Sequence, residues 1–393
     1  MVPNLRFPNF CTPWKIIPIS NLLQFQNGLN GSPEQYGKGV KFISVGDILN
    51  NIYITYDNIK GLIDIDEKTL NNYSVTYGDI LFQRSSEIIN DIGRTNVYLD
   101  KNNIATFGGF VIRGKKIGQY NPVFFNYLLK SPSSRKSIIR LGAGAQHYNI
   151  GQENIKTLNF YFPDETEQAK IAYLFSKIDE RIQTQIKIIN DYYSLKKAII
   201  QRIFNASAQY SKVHLDIILK EISKKNKEQI HNNVLSVSNS LGFVKQSEQF
   251  VDREIASSDT SNYKIVNKNE YAYNPARINV GSIARLTNYD CGIVSPMYTV
   301  FEINMTRIIY EYFDYFLHSF TFQKQLNQRL EGSVRQCLTF NSMKNIEIEL
   351  PPIEVQIEIS KNMKHLDSKI KIESDYLNLL KSQKNYLLKN MFI

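Results

Sequence analysis

Residues 162–204 align without a gap onto residues 350–392 at a constant offset of 188. Identical pairs include Pro163/Pro351, Gln168/Gln356, Asp179/Asp367, Asn190/Asn378, Ser194/Ser382, Lys196/Lys384 and Phe204/Phe392. Self-similarity at one fixed separation marks a repeated structural unit, so the chain has to fold as two related halves. Each half is a long variable segment closed by a similar helix.

Both repeats begin just after proline (Pro163; Pro351 and Pro352), and acids crowd their first turns (Asp164, Glu165 and Glu167; Glu354 and Glu358), as a helix start and its dipole favour. A 3.5-residue period puts Ile171, Phe175, Ile178, Ile182, Gln185, Ile189, Tyr192, Leu195, Ile199 and Ile203 on one seam. The second copy places Ile359, Met363, Leu366, Ile370, Glu373, Leu377, Leu380, Lys384, Leu387 and Met391 there. A helix of about 40 residues is roughly 60 Å long, more than one small domain can cover. Packing each helix only on its own domain would leave isoleucine and leucine exposed beyond the domain edge. The expectation is an antiparallel coiled coil, with Gln185 and Glu373 bonded across its midpoint to fix the register.

The intervening segments repeat one order. Short β-rich runs such as KFISVGDIL and FGGFVIRG precede the helical stretch NPVFFNYLLKSPSSRKSIIRL, and VLSVSNS and NEYAYNPARI precede RIIYEYFDYFLHSFTFQKQLNQRL. YGDILFQR (77–84) faces KNEYAYNPAR (268–277), and GAGAQ (142–146) faces GSVRQ (332–336), while the sequence between diverges. The predicted fold class is α+β, two α/β domains in tandem separated by two long helices. The expected boundaries are 1–163 and 207–350 for the domains, 164–206 and 351–393 for the helices. Shared framework with divergent surface fits two domains that read different targets; drift after duplication is the alternative.

A net charge of +10 and a pI near 9.2 point to an anionic partner, nucleic acid being the commonest. The excess is concentrated: residues 101–161 carry nine basic side chains against the single acid Glu153, whereas residues 291–347 balance five against five. Three separated cysteines, with no CxxC and no histidine at metal spacing, indicate neither a disulfide frame nor a zinc site. Gly109–Lys116 nearly spells a phosphate-binding loop, but Lys116 stands where Ser or Thr should bind magnesium, so it reads as a strand end. The five histidines have no nucleophile or acid pattern around them, and no Asp/Asn-Pro-Pro-aromatic tetrapeptide is present to methylate an exocyclic amine. No catalytic residue and no metal ligand is expected. No apolar run approaches the roughly 20 residues of a membrane span, and no signal peptide is evident, so the expected location is cytoplasmic.

The opening Pro3-Asn-Leu-Arg-Phe-Pro-Asn-Phe10 followed by Trp14 resembles the start of many specificity subunits of type I restriction-modification systems. The run from Glu167-Gln168 through Ile178-Asp179-Glu-Arg-Ile182 to Leu195-Lys196-Lys197 and Phe204 resembles that family's central spacer, with 351–393 as its distal partner. The resemblance covers the whole chain. It implies a non-catalytic subunit whose two target-recognition domains each read one half of a bipartite site in double-stranded DNA. It further implies spacers that dock two methyltransferase subunits, with restriction subunits joining them. No cofactor of its own is implied; the methyltransferase would use S-adenosylmethionine and the nuclease ATP and magnesium. A system whose nuclease and methyltransferase are fused in one partner is the close alternative, and a coiled-coil protein scaffold or a DNA-modifying enzyme the more distant ones.

For base reading, arginines in loops are favoured because they can pair bidentately with guanine: Arg84 and Arg94 in the first half, Arg277 and Arg285 in the second. The small-residue loop before Gln146, His147 and Tyr148, with its counterpart at Arg335 and Gln336, could approach DNA closely. Arg113, Arg135, Lys136 and Arg140 belong to the basic stretch and are candidates for phosphate contact.

Overall fold

The computed structural model describes residues 1–205, 210–239, 241–249, 259–332 and 336–393. The chain divides into two compact units. One comprises Met1–Lys187 with Ser374–Ile393, the other Ile188–Glu373. Among the described residues no helix is long and apolar enough to cross a membrane.

In the first unit, β1 (Leu23–Asn27), β2 (Ile80–Gln83), β3 (Thr95–Val97) and β4 (Val111–Lys116) form an antiparallel sheet in the order β1-β4-β2-β3. Ile80 pairs with Gly114 on one side and Val97 on the other. The near-phosphate-loop stretch is therefore strand β4 from Val111 onward. The sheet packs on α1 (Pro122–Lys130) and α2 (Pro132–Ile139), burying Ile80, Phe82, Phe124, Phe125, Leu128 and Ile138 completely. A smaller three-stranded sheet carries a second core around Ile43, Ile54, Tyr98 and Phe107.

The second unit repeats this plan. Strands β5 (Leu219–Ile222), β6 (Tyr271–Tyr273), β7 (Ile283–Arg285) and β8 (Thr299–Ile303) are ordered β5-β8-β6-β7. The helices are α4 (Tyr310–Leu317) and α5 (Phe320–Asn327), labelled after the long helix α3 (Glu165–Asn205) that precedes them and before α6 (Ile353–Asn390). Even the backbone exceptions recur. Two residues before β2, Gly78 has φ +92°; two residues before β6, Asn269 has φ +70°. Glycine and asparagine are the residues that tolerate this left-handed conformation. In each unit a two-stranded antiparallel ribbon joins the entry strand to the exit strand: Lys15 opposite Phe162, and Lys212 opposite Glu349. The exit strand leads straight into a long helix.

The helices start where the prolines and caps place them. Asp164 Oδ1 accepts from the backbone N–H of Glu167 at 2.8 Å and from the Thr166 hydroxyl at 2.6 Å, which holds its carboxyl below the usual range. One turn later a glutamine locks each helix to its domain. Gln168 accepts from the Asn121 N–H and donates to the Pro163 carbonyl. Gln356 accepts from the Ile309 N–H and donates to the carbonyls of Arg307 and Pro351. Asn121 and Ile309 are 188 residues apart, so the repeat offset extends into the domains.

A charged network follows the same rule. In the first unit Asp179 on α3 accepts from the Tyr127 hydroxyl at 2.5 Å and from Lys384 Nζ at 2.5 Å. In the second unit Asp367 on α6 accepts from the Tyr315 hydroxyl at 3.0 Å and from Lys196 Nζ at 2.5 Å. Tyr127/Tyr315, Asp179/Asp367 and Lys196/Lys384 all lie 188 apart. Each network takes its tyrosine and aspartate from one repeat and its lysine from the helix of the other. Asp179 is 5% exposed, so removing either partner would leave a buried polar group unsatisfied, which is costly. Within the first unit Phe175 meets Phe392, and Arg181 lies over Tyr376, so α3 and the end of α6 run antiparallel there.

The seam residues fall unevenly. Ile171, Phe175, Ile182, Gln185, Ile189, Met363, Ile370 and Leu380 are buried; Ile178, Ile199, Ile359, Leu366, Glu373 and Leu377 are half-buried. Glu373 pairs with Lys369 at 2.7 Å on its own helix. Leu195 is 49% exposed, while Ile200 and Phe204 are buried in its stead. The strict 3.5-residue count drifts from the 3.6-residue helix over this length, and the inward-facing Asp179, Lys196, Asp367 and Lys384 interrupt an apolar reading of the stripe.

Lys384→Met should cost about 2 kcal/mol of the first unit's stability, below the roughly 3–5 of a fully buried pair because Lys384 is part exposed. Urea denaturation should show this loss, and Asp179→Asn/Lys384→Met should recover most of it. Lys130, on α1 beside this network, is pushed down to about 7 from near 10.5, first by burial and then by Lys384. A lowered lysine binds protons more readily when unfolded, so stability should rise between about pH 7 and pH 10. Lys130→Met should flatten that rise in thermal unfolding measured across this range.

Candidate nucleic-acid interface

The end of β2 and the chain beyond it form one loop edge in the first unit. Arg84 follows β2, half-buried, and its guanidinium donates to the Gly109 carbonyl at 3.3 Å. The next residues, Ser85–Ser86, pair antiparallel with Tyr148–Asn149, and the Ile150 N–H donates to the Arg84 carbonyl. Ala143 and Asn149 exchange backbone bonds, leaving Gly144, Ala145, Gln146 and His147 as an exposed tip. The Cβ that a larger residue would bring to Gly142 lies 2.9 Å from Ile92, which is why the turn into this tip needs glycine. The structure thus brings Arg84, Gln146, His147 and Tyr148 to one edge.

The basic residues divide into two kinds. Lys136 on α2 and Arg140, the residue just past its end, are exposed and close to that edge in sequence. Arg94 is also half exposed and pairs with Asp91 at 2.5 Å, a surface ion pair of small worth that another anion can replace. Arg135 is different: it donates to the carbonyls of Gly93, Asn90 and Ile92, cross-bracing the loop that carries Arg94. Burial, with Arg94 nearby, lowers its guanidinium to about 10, still charged at neutral pH. Its expected phosphate contact gives way to a loop-shaping role.

Arg113 is a correction. It points from β4 into the core, 3% exposed, with Nε 2.8 Å from Asp79 Oδ2. Asp79, fully buried, also accepts from the backbone N–H groups of Thr76 and Lys116. A basic residue inside a strand faces the core or the solvent by its parity, and counting charge along a sequence does not separate the two. Arg285 is the second correction. It sits on β7, paired with Asp314 of α4 at 2.8 Å, over the Tyr310 ring at 4.9 Å and donating to Asn269 Oδ1 at 3.2 Å, so its guanidinium is committed within the unit.

The second unit builds the same edge. After β6, Asn274–Ser282 turns back on itself, placing Arg277 in solvent. Glu331 and Cys337 exchange backbone bonds as Ala143 and Asn149 do, again 188 residues apart, and the Leu338 N–H donates to the Pro275 carbonyl. Gln336, beside Cys337, is exposed; Arg335 lies outside the described residues. Several exposed side chains at these edges have no sequence signature: Phe110 (67% exposed), Ile88 and, in the second unit, Val280 and Met297. Only the tethering of neighbouring loops brings them forward. Among the described residues no group of His, Cys, Asp or Glu is placed to hold a metal ion.

The profile of the type I restriction modification DNA specificity domain matches residues 12–191 and again 202–382, one copy on each half of the repeat. The chain belongs to this family. A Methanocaldococcus jannaschii protein assigned as the MjaX type I restriction enzyme specificity subunit is 25% identical over 197 residues, 49% of this chain. The chain spans 45% of that relative's length.

The fold of the specificity subunit from M. genitalium is shared over 100% of this chain and 99% of that one, at 18% identity and a TM-score of 0.56. A chain from a structure titled for complex assembly and conformational transition of the type I R-M system matches over 98% of both, at 12% identity and 0.62. The HsdS subunit from Thermoanaerobacter tengcongensis covers 99% of this chain and 98% of its own, at 13% and 0.51. At such identities the likeness is one of fold.

Arg113→Met should cost about 3 kcal/mol in urea denaturation by leaving Asp79 buried without its cation. Arg94→Ala, on the surface, should change stability by less than about 0.5 kcal/mol in the same assay.

Proposed function

We propose that this chain is the DNA sequence-specificity subunit of a type I restriction-modification complex, working in the cytoplasm, and that it has no catalysis of its own. Each unit reads one half of a bipartite, asymmetric site in double-stranded DNA, and the two long helices act as an antiparallel coiled coil that sets the separation of the halves. The observation that carries the reading is the duplicated loop edge. Two specificity domains share a framework in which the backbone bonds of Ala143 and Asn149 recur at Glu331 and Cys337, yet present Arg84, Gln146, His147 and Tyr148 in one unit and Arg277 and Gln336 in the other. Equal frameworks with unequal reading residues give two different half-sites.

Arg84 and Arg277 suit guanine, Gln146 and Gln336 suit adenine, and Lys136 and Arg140 suit phosphate. Methyltransferase subunits dock on the long helices, and restriction subunits join them. Side chains such as Tyr173, Leu379 and Tyr386 in the first unit and Tyr193, Leu195 and Ile372 in the second support this, each more than 45% exposed on a helix where a solitary protein would carry polar residues. S-adenosylmethionine would then be bound by the methyltransferase, ATP and magnesium by the nuclease.

Single-molecule sequencing of genomic DNA for methylated adenine tests the reading. A split motif should be present in the parent strain and vanish on deletion of this gene; an unchanged methylation pattern with the methyltransferase expressed would refute it. In equilibrium binding by the assembled complex, Lys136→Gln/Arg140→Gln should reduce the slope of log K against log salt by roughly two, about 0.9 for each phosphate no longer neutralised, without changing the preferred sequence.

A further inference from the structure

One turn presents the same kind of side chain in both units. Ile80 and Tyr271 each stand two residues past the left-handed residue before their strand, and they face Gly114 of β4 and Phe301 of β8. Counting four residues back from these partners reaches Phe110 and Met297, which therefore hold equivalent places. Each is the third residue of a hydrogen-bonded turn: the Val111 N–H donates to the Gly108 carbonyl at 2.8 Å, and the Tyr298 N–H to the Ser295 carbonyl at 3.0 Å. Phe110 is 67% and Met297 63% exposed. A single exposed apolar residue is ordinary. Here Gly108–Val111 and Ser295–Tyr298 match at no position in sequence, yet both put a large apolar side chain into solvent at the same place.

The surroundings hold the first of these turns in place. A Cβ on Gly109 would lie 2.0 Å from Asn30 Oδ1, and one on Gly28 would lie 2.0 Å from the Gly108 carbonyl oxygen, so the turn packs on residues 28–30 without slack. The Arg84 N–H donates to the Phe110 carbonyl at 2.8 Å. A cation also reaches each turn. The Arg84 guanidinium donates to the Gly109 carbonyl, and Lys264 Nζ donates to the Tyr298 carbonyl at 2.6 Å. An apolar tip beside a cation suits a surface that is anionic overall and apolar at points.

The major groove of DNA is such a surface, and its apolar points are the C5-methyl groups of thymine. We propose that Phe110 reads a thymine in the half-site of the first unit, its ring against the C5-methyl group, and that Met297 does the same in the other half-site. Because Arg84 is bonded to the same turn, the thymine lies near the base that Arg84 contacts. Phenylalanine offers the methyl group a flat ring, and methionine an unbranched, polarizable chain. Two different side chains at one position thus perform the same reading on two half-sites. The proposal rests on the reading of this chain as a specificity subunit and adds to it the base that each turn selects.

Deoxyuridine differs from thymidine in its base only by the missing methyl group, so it tests the contact directly. Equilibrium binding is measured with the assembled complex of full-length chains, on DNA in which deoxyuridine replaces each thymine of the methylated motif in turn, on either strand. In each half-site one replacement should weaken binding by the unaltered complex about fourfold, the worth of one buried methyl group. Phe110→Ala should abolish the response in one half-site and keep it in the other, and Met297→Ala should do the reverse. Tolerance of deoxyuridine at every position would overturn the assignment. So would a response that persists in Phe110→Ala, or a loss by Phe110→Ala that is the same with and without the methyl group, as for a residue wedged between bases or touching a protein. Each of these results leaves the specificity reading standing. An unaltered complex with no preference for the motif would remove that reading, and the thymine contact with it.

Discussion

Asp179 and Asp367 are the points on which the two units depend. Each carboxylate is held between a tyrosine from its own repeat and a lysine from the other repeat's helix, so neither half can satisfy its aspartate alone. For Asp179, whose side chain is 6% exposed, removing either partner leaves a polar group in a poorly solvated site, a larger penalty than the pair's net worth; Asp367, 41% exposed, has less to lose. Such a contact contributes modestly to stability and favours one register, because a helix slipped by one residue would carry Lys384 away from Asp179. The glutamine locks at 168 and 356 do the complementary work, fixing each helix start to its own domain.

The duplication was legible because the repeat preserves these polar positions along with the apolar ones. Asp179/Asp367 and Lys196/Lys384 stand out as soon as the two repeats are aligned. Their role was not legible, since an apolar stripe counted at 3.5 residues passes them over and selects Leu195, which faces solvent, ahead of Ile200 and Phe204. The extension of the 188 offset to Asn121, Tyr127 and Ala143 was hidden by divergence between them. It emerges only when hydrogen bonds are matched.

Residues at the loop edges followed a similar division. Gln146, His147 and Arg277 sit in loops because glycine and proline make those loops visible in the sequence. Arg113 and Arg285 looked the same by composition, yet strand parity turns one into the core and the ion pair with Asp314 holds the other against a helix. Phe110 and Ile88 were invisible, because exposure at an edge depends on which loops are tied together, a property of the tertiary hydrogen bonds between Arg84, Gly109 and Ile150. Framework and reading residues thus separate physically: buried polar contacts fix the loops, and what varies is carried on their tips.

If paired helices set the distance between two readers, that distance should change with helix length while the readers stay the same. The decisive measurement is methylated-motif sequencing in a strain whose copy of this chain lacks one helical turn from each long helix, near residues 183–186 and 371–374. A turn is about 5.4 Å, between one and two base pairs at roughly 3.4 Å each. The account predicts both half-sites unchanged and the gap between them shortened by one or two base pairs. Methylation of the original motif with its original gap would contradict it.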